Sequence, residues 1–115
     1  MIRSTGLPSL LVAGAVAFAV PALAAGDYPT AAVADYVFGC MQANGQTREA
    51  LERCSCSIDV VASILPYEDY ERAETFRRMG QMLGERSALF RETAPARTAS
   101  AALRRAQAEA DIRCF

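Results

Sequence analysis

The sequence predicts an all-α fold, a small bundle of four or five helices stapled by disulfides. Three observations carry that prediction. Apolar residues after Thr30 recur at helical spacing, and no stretch alternates with the period of a strand. Glycine and proline fall between those stretches, at Gly45, Pro66, Gly80, Gly84 and Pro95, where helices stop and start. Four cysteines, Cys40, Cys54, Cys56 and Cys114, stand in a chain of 115 residues behind an apolar leader. An even cysteine count in a short exported chain means a disulfide framework.

Residues 1–24 read as a secretory signal peptide. Arg3 is the only charge before Asp27, and an apolar run from Leu7 to Val20 follows it. Ala22 and Ala24 give the small-x-small pattern of a cleavage site, with Ala25 as the mature N-terminus. Pro8, Gly14 and Pro21 interrupt the run, which argues against a spanning helix of about 20 apolar residues. The mature part, residues 25–115, is then one helical four-cysteine domain. A domain of that size has a modest core, so covalent staples matter. The expected location is the periplasm or the secreted medium, with no membrane attachment after cleavage.

The first helix opens near Thr30, a residue type suited to capping. It carries Val33, Tyr36, Val37, Cys40 and Met41 on one face, and Asn44-Gly45 stops it. Thr47 caps the second helix, residues 48–65. There Leu51, Cys54, Ile58, Val61 and Leu65 form one apolar stripe, and Cys56, Val60 and Ile64 form another. Two stripes make this the central helix. Pro66 ends it and opens the third helix, Tyr67 to Met79. Its early acids, Glu68, Asp69, Glu71 and Glu74, and its later Arg72, Arg77 and Arg78 suit the helix dipole. Residues 79–90 read as a loop or a short broken helix around Gly80 and Gly84. The last helix spans residues 96–113, its inner face formed by Ala99, Leu103, Ala106, Ala110 and Cys114. Alanine, Arg105 and Glu109 favour helix there by propensity.

The Cys54-Ser55-Cys56 motif is the most informative local feature. Residues i and i+2 of a helix point about 200° apart. The two thiols therefore face opposite ways, and each needs its own neighbour. Cys40 and Cys54 lie seven residues either side of Thr47, so a helical hairpin brings them level. That favours Cys40–Cys54 with Cys56–Cys114. The swapped set, Cys40–Cys56 with Cys54–Cys114, differs by only half a helical turn and stays open.

Charge and composition exclude several function classes. The chain holds 12 basic and 13 acidic residues, and every basic one is arginine. Without Arg3 the balance is 11 − 13 = −2. A near-neutral surface of mixed sign argues against nucleic acid as a partner. There is no histidine, hence no Ser-His or Cys-His pair and no imidazole metal ligand. There is no lysine for a Schiff base, and no phosphate-binding loop or calcium loop. Acid–base work would fall to carboxylates, and the densest group, Glu68 to Glu74, reads as a solvated helix start. No catalytic residue, cofactor or metal site is assigned. Tyr67 and Tyr70, at i and i+3 on the third helix, are candidates for an exposed contact patch, although packing onto the bundle explains them as well.

Several stretches together resemble a small secreted four-cysteine family that accompanies PQQ-dependent alcohol or methanol dehydrogenase systems in Gram-negative bacteria. They are Tyr28-Pro29-Thr30 with Ala34 to Met41, Asn44 to Glu52, Cys54 to Asp59, and Leu103 to Ala110 with Ile112 to Phe115. The family has no assigned catalytic role. The resemblance implies a periplasmic accessory factor in quinoprotein alcohol oxidation, with a quinoprotein dehydrogenase or its cytochrome partner as target. It transfers no catalytic residue.

The leading expectation is thus a non-enzymatic periplasmic protein that binds another protein. One alternative is a thiol-redox or copper-handling protein using Cys54 and Cys56, with Met41, Met79 and Met82 as further soft ligands. Another is a small carrier of a hydrophobic or quinone ligand in the bundle core.

Overall fold

Helical hydrogen bonding begins at Thr30 and organises nearly all of the chain that follows. The computed structural model describes residues 27–82 and 84–115. The expected signal peptide, residues 1–24, and its expected cleavage site lie outside the described residues. Five α-helices follow one another: α1 (Thr30–Asn44), α2 (Arg48–Ile64), α3 (Tyr67–Gly80), the short α4 (Leu89–Glu92) and α5 (Ala94–Cys114). A 3-10 turn, Glu85–Ala88, leads into α4. Among the described residues there is no strand. The molecule is a small all-α bundle stapled by two disulfides.

The helix ends show which sequence signals act. Pro29, not Thr30, is the N-cap of α1, and Thr30 is already helical. Proline has no N–H and a fixed φ, so it fits this boundary without a side-chain cap. Gly45 ends α1 at φ 103°, ψ 158°. That positive φ is open only to glycine at little cost, but its ψ is extended rather than left-handed helical. Thr47 caps α2, its hydroxyl accepting from the Ala50 N–H at 3.1 Å. Pro66 sits at the N-cap of α3. The first turn of α3 carries Glu68 and Asp69 and its last turn Arg77 and Arg78, the order the dipole favours.

Residues 79 and 80 close α3, residues 85–88 form the 3-10 turn, and residues 89 and 90 open α4. α5 starts at Ala94, two residues before the expected position, because Pro95 fits its first turn; proline is tolerated where N–H groups have no helical partner.

α2 is the central helix. Cys54, Ile58 and Val61 are almost wholly buried, with Ala50, Ser57 and Leu65 beside them. The expected stripes are narrower at their ends: Leu51 of the first is 40 % exposed and Ile64 of the second 47 %. At 100° per residue they lie about 60° and about 80° off Cys54 on opposite sides, at the edges of the buried sector. The rest of the core comes from Tyr70 and Ala73 of α3, from Leu103, Ala106 and Ala110 of α5, and from Tyr28. Tyr28 precedes α1 and is locked to the end of α2, its hydroxyl donating to the Leu65 carbonyl at 2.6 Å. Its ring centroid lies 5.1 Å from those of both Tyr67 and Tyr70.

α5 packs along α2 and α3, whereas α1 packs chiefly on α2. No residue of α1 is fully buried; Val33, Tyr36 and Val37 are half-buried against the core. A groove therefore remains between α1 on one side and α3 and α5 on the other.

Candidate functional site

Each disulfide uses one side of the Cys54-Ser55-Cys56 segment. Cys54 bonds Cys40 of α1, with Sγ–Sγ 2.07 Å and Cα–Cα 5.8 Å. Cys56 bonds Cys114 at the end of α5, with Sγ–Sγ 2.06 Å and Cα–Cα 5.8 Å. The swapped pairing is not the one formed. No cysteine is free. Thiol exchange needs a thiolate, and so does a copper-binding cysteine; neither is present with both disulfides closed. Among the described residues no group of three or more His, Cys, Asp or Glu side chains is placed to hold a metal ion.

The candidate contact patch at Tyr67 and Tyr70 does not stand as an exposed surface. Tyr70 is 5 % exposed and Tyr67 is half-buried. Both rings pack on Tyr28, and burial of that ring next to Asp69 pushes the Tyr28 phenol up to about 12. Burial raises Tyr70 as well. The i, i+3 spacing aims both rings inward because that face of α3 lies against Tyr28.

The groove beside α1 has a volume of about 1040 Å³. Its floor includes Tyr36, Ser57, Tyr70, Ala73 and Leu103. Tyr36 and Ser57 share a hydrogen bond of 2.8 Å between their hydroxyls, which satisfies the buried Ser57. Burial raises the Tyr36 phenol above its ordinary value; its hydrogen bond with Ser57 pulls the other way, and the charge of Asp111 adds to the rise.

The end of the groove near the α3–α4 connection is basic and aromatic. Arg77 closes a fork on Glu74, with Nη2–Oε2 at 2.7 Å and Nε–Oε1 at 3.1 Å. Arg91 donates to the Gly80 carbonyl at 2.8 Å. That contact depends on Gly80, because a Cβ there would stand 2.7 Å from Arg91 Cγ. Phe76 and Phe90 pair with ring centroids 6.3 Å apart. Arg97 and Arg104 of α5 complete this end. Across the groove, Arg78 of α3 reaches Asp35 of α1 at 3.0 Å.

Sequence reasoning placed the apolar face of α5 but missed its groove face. Arg97, Ser100, Arg104, Gln107 and Asp111 run at i, i+3, i+7, i+10 and i+14 beside the alanine stripe. Such a polar stripe is indistinguishable from an ordinary solvated face until the neighbouring helix stands away from it.

The fold and site define an all-α bundle with a doubly stapled central helix and a long mixed-polarity groove. Comparison with protein-family models, with curated proteins and with solved structures gave no match.

Proposed function

We propose that this chain is an exported, non-enzymatic helical protein that binds another protein through the groove between α1 and the α3–α5 pair. The groove carries this reading. It is open and polar-rimmed and has an aromatic pair in one wall. Two closed intramolecular disulfides support export to an oxidising compartment. Among the described residues no helix is long and apolar enough to cross a membrane. The resemblance drawn above directs the partner to quinoprotein alcohol oxidation, as an accessory factor to the dehydrogenase or its cytochrome.

Affinity capture from the periplasm of an alcohol-oxidising Gram-negative host tests this. The tagged chain should retain a dehydrogenase or cytochrome component above a tag-only control. Capture at the control level would reject the accessory role.

A second reading, carriage of a hydrophobic or quinone ligand, draws on the same groove volume, which is at the upper end of small-ligand sites. It places the ligand in the groove rather than in the core, where Cys54, Ile58 and Val61 are fully packed. Native mass spectrometry after incubation with a quinone should then show a one-to-one adduct, and apo protein alone would dismiss it.

A further inference from the structure

The groove face of α5 has a direction. Arg97, Ser100, Arg104, Gln107, Asp111 and Phe115 all line the groove. At 1.5 Å per residue, the distance from the first to the last is about 27 Å. The two halves of this face differ. In the first half, Arg97 and Arg104 have no ion-pair partner among the described residues. Arg77 and Arg91 stand at the same end, and Glu74, held by Arg77, is the carboxylate beside them. Asp35 is already engaged by Arg78. In the second half Asp111 is the remaining acid, flanked by Tyr36 and by Phe115, which is 48 % exposed.

We infer that the groove takes an elongated segment of a partner protein, acidic where it lies against Arg97 and Arg104 and apolar where it reaches Phe115. This rests on the reading of the groove as a protein-binding site. Length favours a segment over a compact small ligand: an extended chain rising about 3.3 Å per residue fills 27 Å with about eight residues. Charge fixes its polarity. Guanidinium forks suit carboxylates, and among the described residues three of the four at this end, Arg91, Arg97 and Arg104, have no carboxylate of their own. Such charges at a rim set the approach and the salt dependence of binding. The Phe76–Phe90 wall gives the stems of acidic side chains an apolar surface to lie on.

Fluorescence anisotropy with the oxidised chain tests the inference. The probe is a labelled twelve-residue peptide with a glutamate-rich half and a leucine- and phenylalanine-containing half; its comparator has glutamine for every glutamate. The acidic peptide should bind, and the comparator should bind about ten-fold more weakly. R97Q/R104Q should weaken the acidic peptide about ten-fold and leave the comparator unchanged. R48Q/R72Q, on other faces, should change neither. All four arginines are exposed, and an unchanged helical circular dichroism spectrum verifies that the variants fold.

No binding of the acidic peptide, equal binding of both peptides, or insensitivity to R97Q/R104Q would each overturn the proposal. Displacement of the peptide by 1,3,5-benzenetricarboxylate at equal concentration would assign the charge end to a small anion and overturn it too. The accessory role fails separately. If wild-type and R97Q/R104Q baits capture the dehydrogenase component equally, the acidic-segment inference fails and the role stands. If neither captures it while peptide binding still depends on the arginines, the role fails and the inference stands.

Discussion

Removing the Cys56–Cys114 disulfide should cost more than removing any single packed side chain of α5. The bond closes a loop of sequence separation 58. In the chain-entropy model that loop is worth about 4 kcal/mol, against about 3 kcal/mol for the Cys40–Cys54 loop of separation 14. A domain of this size has a total stability of about 5–14 kcal/mol, so the loss is a large share. The local packing makes the effect uneven along α5. Beyond Leu103 the fully buried contacts of α5 are Ala106 and Ala110, each contributing about 0.8 kcal/mol for a methyl group. Ordering one residue costs about 1–2 kcal/mol in the backbone alone. Two methyl groups do not offset that over the last two turns, so the C-terminal end of α5 should fray once the staple is gone.

Urea unfolding of C56A/C114A at 25 °C should give a stability about 4 kcal/mol below the parent, and amide exchange should accelerate first in residues 107–114. Both cysteines are only half-buried, so cavity formation adds little. A loss below about 1 kcal/mol, or unchanged protection at the end of α5, would refute the reasoning.

Other consequences follow from single contacts. Thr47→Ala removes the hydroxyl that accepts from Ala50 and should lower stability by about 1 kcal/mol in the same unfolding assay; Thr47→Ser should restore most of it. Gly80→Ala puts a Cβ 2.7 Å from Arg91 Cγ. It should destabilise by about 1 kcal/mol despite the better helix propensity of alanine, and the penalty should disappear in the G80A/R91A pair, as a double-mutant cycle would show. Raised folded-state phenol values mean that the tyrosines favour the fold fully below pH 10, the unfolded value. This contribution is lost as pH rises from about 10 through about 12, the Tyr28 value. The unfolding midpoint should fall over that window, with Tyr28 accounting for about 2–3 kcal/mol. Tyr28→Phe should reduce the drop, and a profile flat from pH 8 to pH 12 would contradict it.

Much of the architecture was legible because its signals are local. Thr47, Gly45 and Pro66 mark boundaries through backbone chemistry that operates within four residues, and the structure uses all three. Thr30 misled for a local reason as well: the adjacent Pro29 already met the boundary, so no hydroxyl cap was needed. The first stripe on α2 was legible at Cys54, Ile58 and Val61 and less so at Leu51, and the second less so at Ile64, because both of those residues lie at the edges of the buried sector. The groove was not legible. It exists because α1 leans chiefly on α2, and nothing in the period of α1 distinguishes a helix packed mainly on one neighbour from a helix packed on three. The inward turn of Tyr67 and Tyr70 likewise depends on Tyr28, 39 and 42 residues away in the chain.

The pairing order of the staples has a consequence for how the molecule is made. Both bonds join cysteines that are consecutive along the chain. A polypeptide emerging N-terminus first presents Cys40 and then Cys54 with a 14-residue separation, and Cys56 follows two residues later as a competitor for Cys40. Cys56 then waits for Cys114, which arrives 58 residues later. An oxidase acting in order of appearance suffices, and reshuffling is needed only when Cys56 reaches Cys40 first. A single residue, Ser55, separates the early partner from the late one. Maturation is therefore most error-prone at the moment those two neighbouring thiols are both reduced.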